Sequence, residues 1–195
     1  MHHIHTTDGL VIHSKAHGEA SKIVYIFTRD LGLVMAIAQG IRLEKSKLRY
    51  NICDYQISRF SLVHGKEFWR IVGVAGIEGD KKSVNESYHS IFIPISLMIR
   101  RLIQGEEKHL EIYECLESCA NFINKLSFLE STIFSTIESL LLIRILFRLG
   151  YVGDKHGFGE FLNNSTFSID IINHLIPKRV EMNKIINNAL RESHL

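Results

Sequence analysis

Along the first 80 residues the hydrophobic positions come in short runs separated by glycine and polar turns. Residues 10–14 form an apolar run after Thr7-Asp8-Gly9, and residues 22–28 (KIVYIFT) are rich in β-branched and aromatic side chains, so both read as strands. Residues 32–38 (GLVMAIA) place Leu33, Met35 and Ile37 on one face, the alternation expected of a strand. Residues 53–63 alternate less cleanly, and residues 68–77 follow a turn marked by Gly65. Arg29-Asp30-Leu31-Gly32 predicts a tight connection, with Gly32 available for positive φ. Five antiparallel strands joined by short turns, with one longer polar connection at 40–52, predict a small closed barrel, because closure removes exposed edges.

After about residue 81 the period becomes helical. Residues 85–104 predict a helix with Pro94 either near its start or at a kink, stopped by Gly105. Residues 108–126 carry an apolar stripe of Leu110, Tyr113, Leu116, Ala120 and Ile123. Residues 132–149 are apolar nearly all round, which predicts a buried central helix capped by Gly150. A glycine-rich loop at 153–159 precedes two short helices near 168–175 and 178–192, split by Pro177. The fold class expected is therefore α+β: a five-stranded barrel over residues 1–80, then an all-helical domain over 81–195.

Composition changes this picture little. The hydrophobic fraction of 46% and charged fraction of 23% suit a folded chain, and the two prolines argue against disorder. No run reaches the length of a membrane span, and the start lacks the apolar core of a signal peptide, so a cytoplasmic protein without membrane contact is expected. The three cysteines include no C-x-x-C pair, which supports reduced thiols over a disulfide framework or a four-ligand zinc site. His2, His3 and His5 could meet a metal, but no carboxylate or cysteine lies close in sequence to complete a site.

Charge matters locally. Residues 1–80 hold 10 Lys+Arg and 8 Asp+Glu, whereas residues 81–195 hold 13 of each. The excess concentrates at Arg42, Lys45, Lys47 and Arg49, with Glu44 the one acid among them. A barrel with a basic connection can bind single-stranded nucleic acid, cations tracking phosphates while aromatic faces stack on bases. Lys22 joins the basic set, and Tyr25, Tyr50, Tyr55 and Trp69 are candidate stacking residues. The plainer alternatives are a solvated charged loop and aromatics that belong to the core. No phosphate-binding G-x-x-x-x-G-K-[ST] loop, G-x-S-x-G elbow or H-E-x-x-H helix is present, and the GFGEF segment at 157–161 reads as loop. Glu106 and Glu107 lack paired acid–base geometry, and His156 and His174 have no evident partner, so no enzyme and no cofactor are expected.

The order Thr7-Asp8-Gly9, Gly18-Glu19-Ala20-Ser21-Lys22-Ile23-Val24, Phe27-Thr28, Gly32, Ala36, Ala38, Gly40-Ile41-Arg42 and Ser46-Lys47-Leu48-Arg49 resembles the N-terminal domain of the RecO family of bacterial recombination mediators. The helical half is similar in outline, down to Leu149-Gly150-Tyr151. The resemblance implies an oligonucleotide-binding barrel followed by a helical domain. It also implies binding of single- and double-stranded DNA, strand annealing, engagement of the single-strand-binding protein tail, and assembly with RecR to load the recombinase. Arg42, Lys45, Lys47 and Arg49 then become the loop that meets phosphate, with Lys22 beside it. Arg100, Arg101, Arg144 and Arg148 become candidates to receive the acidic tail, Arg144 and Arg148 lying one helical turn apart. Many family members carry a four-cysteine zinc site after the segment matching 149–151. Here VGDKHGFGEFLNN holds no cysteine, so zinc is not expected, and the shortened helical domain bears on the RecR contact. Two other readings remain open: a protein-interaction adaptor whose barrel does not bind DNA, and an RNA-binding barrel protein, since the 2′-hydroxyl contact depends on geometry.

Overall fold

The computed structural model describes residues 3–77, 86–126, 130–153 and 157–192. Its strands are β1 (Ile4–His17), β2 (Ser21–Thr28), β3 (Gly32–Ala38), β4 (Ile57–Val63) and β5 (Trp69–Gly76). They close into a barrel in the order β1-β2-β3-β5-β4. β1 pairs antiparallel with both β2 and β4, and the circle closes where β3 runs parallel to β5, Ala36 opposite Trp69 and Ile37 opposite Arg70. This is the topology of the oligonucleotide-binding fold.

β1 is much longer than residues 10–14. A bulge between Val11 and His13 bends it, so that its first half serves β4 and its second half serves β2. Alternation sends Val11, Val24, Ile26, Val34, Ala36, Phe60, Leu62 and Ile71 into the barrel core. Gly9 lies within that packing, where an added Cβ would stand 2.5 Å from the Ile26 Cγ2. β4 begins at Ile57, later than expected, because residues 53–56 turn: Tyr55 has φ +67°, and its amide donates to the Val11 carbonyl.

The tight β2–β3 connection has the predicted positive φ at Gly32, +73°. The Thr28 hydroxyl organises it, donating to the Gly32 carbonyl at 2.8 Å and accepting from the Leu31 amide at 2.9 Å. A side chain at Gly32 would also overlap the Glu107 carbonyl.

Six α-helices follow among the described residues: α1 (Glu86–Leu102), α2 (Leu110–Asn124), α3 (Ser131–Arg148), α4 (Gly159–Leu162), α5 (Ile169–Leu175) and α6 (Arg179–Glu192). Pro94 sits within α1 rather than at its start. α4 corrects the reading of GFGEF as loop: a single helical turn begins at Gly159. The chain divides into two compact units, Met1–Ser83 with Phe92–Leu110, and Val84–Ile91 with Glu111–Leu195. The domain boundary expected near residue 80 lies outside the described residues, as do His2 and His156.

In the second unit α3 is the central helix, with Ile137, Leu140, Leu141, Ile143, Ile145 and Leu146 all buried. It ends in a Schellman motif around Gly150 (φ +81°), where the Gly150 amide donates to Phe147 and the Tyr151 amide to Leu146. Among the described residues no helix is long and apolar enough to cross a membrane.

Candidate nucleic-acid interface

The connection between β3 and β4 crosses the end of the β1–β2 hairpin. The Arg42 amide donates to the Ala20 carbonyl at 2.9 Å, and Arg42 Nη1 donates to the Gly18 carbonyl at 3.1 Å. Gly40, at φ +65°, turns the chain towards this hairpin end. Farther on, Lys47–Tyr50 forms a 3-10 turn. Leu48 in that turn packs on the barrel core, which leaves Lys47 and Arg49 exposed on either side of it. Arg42 and Lys45 are exposed as well, and Lys22 is half-buried opposite Ala38 at the same end of the barrel. The structure thus brings the five basic candidates to one end of one barrel. No described carboxylate forms an ion pair with any of them.

The four candidate aromatics separate cleanly. Trp69 is core, 5% exposed, and its Nε1 donates to the Glu106 carboxylate at 2.7 Å; it has no face for a base. Glu106, which the sequence offers no acid–base partner, is that acceptor. Tyr55 is half-buried in its turn, and burial, then the nearby Asp54, raises its phenol pKa against an opposing effect of Arg100. Tyr50 is 61% exposed and adjoins Arg49.

Tyr25 is half-buried on the outer barrel face, where the Arg100 guanidinium lies 5.1 Å and the Lys15 ammonium 5.7 Å from its ring centre. His13 stands opposite Tyr25 in the strand register, its ring centre 5.6 Å away. Burial, Arg100 and Lys15 lower the His13 pKa against the pull of Asp54.

Lys15 and His17 escape the sequence reading because the apolar run that marks β1 stops at residue 14, and His13, inside that run, has no evident partner until the strand is extended. Extended through to His17, the strand puts His13, Lys15 and His17 on one face, three basic side chains at a spacing of two.

Among the helices the arginines divide. Arg100 and Arg101 are exposed on α1, one turn beyond the exposed Leu97 and two beyond Ile93. Arg144 corrects the expectation that it receives a partner's tail: it is fully buried. Its Nε donates to the Phe161 carbonyl at 2.8 Å, its Nη1 to the Thr166 carbonyl at 2.9 Å, and its guanidinium lies 4.6 Å from the Phe167 ring centre. Its work is to hold the segment after α3 against that helix. Arg148 is half-buried, with its side chain 5% exposed, and its donors face Ser165 and the Arg144 carbonyl. His174, expected to stand alone, stacks on Phe161 at 5.2 Å.

Residues 1–78 match the family described as Recombination protein O N terminal. The barrel is similar to that N-terminal domain over its whole length. Three similar relatives extend the likeness, each described as DNA repair protein RecO. The one from Caldanaerobacter subterraneus subsp. tengcongensis is 28% identical over 169 residues, covering 83% of this chain and 66% of its own. The one from Thermoanaerobacter sp. (strain X514) is 23% identical over 141 residues, 72% of this chain and 56% of the relative. A third, from Synechocystis sp., is 38% identical over 71 residues, 36% of this chain and 26% of the relative. The chain therefore spans less than two thirds of the length of the relatives it matches.

Proposed function

We propose that this chain is a DNA-binding recombination mediator acting in DNA repair. The observation that carries the reading is the basic connection pinned across the β1–β2 hairpin. Arg42, Lys45, Lys47 and Arg49 are held outward by a backbone fixed through Gly18, Ala20 and the half-buried Leu48, which packs on the barrel core, so little ordering remains to be done when phosphate arrives. Lys22 lies beside them, and Tyr50 offers a stacking face. The outer strip of Lys15, Tyr25 and Arg100 supports a longer path for nucleic acid, single- or double-stranded. Strand annealing needs charge neutralisation and two strands held close, with no nucleotide and no bond-making chemistry, so the chain is read as a mediator and not an enzyme.

Partner binding belongs to the same proposal. The exposed pair Arg100 and Arg101 beside Leu97 and Ile93 suits an acidic tail with an apolar end, as expected of single-strand-binding protein, and the helical unit is the place to seek RecR.

The test is fluorescence anisotropy of a labelled single-stranded oligonucleotide at two salt concentrations. Counterion release makes affinity fall steeply with salt if phosphates are bound. Affinity should also rise with oligonucleotide length up to a site size. Absence of binding at low salt would overturn the DNA reading and favour the adaptor.

A further inference from the structure

The side chain of Arg148 is 5% exposed, yet it is only partly satisfied. Nη1 donates to the Arg144 carbonyl at 3.3 Å and Nη2 to the Ser165 hydroxyl at 2.9 Å. The third nitrogen, Nε, is buried and its N–H has no hydrogen-bond acceptor. The Glu111 carboxylate stops 3.9 Å from Nε, beyond hydrogen-bonding range, and its side chain is 82% exposed. One turn back, Arg144 is a second buried cation, with no ion pair to any described carboxylate. Of these two guanidinium groups only Arg148 has a described carboxylate near it, and that one is loosely placed. Buried charge is costly unless paired, and a buried donor without an acceptor adds to that cost.

Beside Arg148 a pocket of about 220 Å³ opens to solvent, lined also by Glu111, Phe147, Leu162, Asn163 and Ser165. The geometry points to an oxyanion site, taking a single carboxylate or phosphate group. One ligand oxygen would accept from Arg148 Nε–H. A second would accept from the Ser165 hydroxyl, whose oxygen already receives Arg148 Nη2 and whose proton is thereby left to point elsewhere. Phe147 and Leu162 supply apolar walls, and Glu111, already solvated, can swing out as the ligand enters. Bound there, the anion would tie the chain after α4 to the end of α3. The site lies wholly in the helical unit, and it stands independently of the DNA reading.

The experiment uses the full chain and the side-chain Nε–H signals of arginine in ¹H–¹⁵N spectra. Sodium phosphate and sodium acetate are titrated separately, against sodium chloride at matched ionic strength. One arginine signal, missing in Arg148→Lys, should shift saturably with phosphate or acetate and stay fixed in chloride. Saturation by one salt alone identifies which oxyanion the pocket prefers; saturation by both identifies a site tolerant of shape. Glu111→Gln should reach half-saturation at a several-fold lower concentration, because it removes the competing carboxylate. Ser165→Ala keeps the guanidinium and should weaken binding several-fold, which serves if Arg148→Lys does not fold. The shift should persist in Arg42→Ala/Lys47→Ala, separating this pocket from the basic connection. A signal that moves in neither salt, or equally in chloride, overturns the site.

Discussion

The guanidinium of Arg42 reaches the carbonyl of Gly18, a residue 24 positions earlier, at 3.1 Å. One side chain thus both pins the basic connection to the β1–β2 hairpin and stands exposed at its outer surface. Removing it together with the exposed Lys47 separates binding from stability, because neither side chain carries core packing. Arg42→Ala/Lys47→Ala should weaken oligonucleotide binding and flatten the salt dependence by roughly 0.7 in log–log slope for each phosphate left unneutralised. Its thermal melt should stay close to that of the unaltered chain. Unchanged affinity with an intact melt would remove the connection from the DNA interface.

Tyr50 is the exposed aromatic beside the basic residues, whereas Trp69 is locked in the core by Glu106. Tyr50→Ala should cost about 1–3 kcal/mol of single-strand affinity, the range for losing one stacked base, and Tyr50→Phe should retain most of it. Equal losses in the two variants would mean that the hydroxyl, and not the ring face, meets the nucleic acid.

Gly32 and Gly18 both have positive φ, +73° and +61°, but their surroundings differ. A Cβ at Gly18 meets open space, while one at Gly32 meets the Glu107 backbone. Gly18→Ala should cost about 1 kcal/mol, the strain of the left-handed region. Gly32→Ala carries the same strain plus a backbone collision, so it should cost clearly more in urea denaturation. Equal costs would show that the segment around Glu107 yields freely.

Arg144 joins α3 to two backbone carbonyls, those of Phe161 and Thr166. Arg144→Met fills much of the same space but leaves both acceptors unmet, at about 1–3 kcal/mol for each group that water does not reach. Arg144→Lys should recover little, because one ammonium cannot reproduce a planar fork. Full stability in the lysine variant, measured by urea denaturation, would mean that charge alone matters here.

His13 has a pKa lowered by burial, with Arg100 and Lys15 adding to the effect and Asp54 opposing it. The unfolded chain therefore binds a proton at this residue at higher pH than the folded one. The stability it contributes is complete above the ordinary histidine value of 6.5 and is lost as pH falls from there through the folded pKa. His13→Gln should remove that component, so the stability difference between variant and parent should change between pH 7 and pH 5. A constant difference across this window would show that His13 titrates normally.

Local patterns carried much of the fold. The span of β3 was legible to the residue, because alternation and the turn glycine are properties of a short stretch. The central place of α3 followed from a helix apolar on every side, and the five basic candidates followed from a run of cations in one polar connection with Lys22 beside it. What a short stretch cannot contain is the identity of its neighbour. Trp69 and Tyr50 look alike as aromatics, yet one is buried with Glu106 and the other is exposed, since burial depends on what the barrel closes around. The spacing of Arg144 and Arg148 placed both on one face of a helix. Only the returning chain at residues 158–167 decided that this face is interior, because a guanidinium can be buried only where distant carbonyls come back to accept its protons.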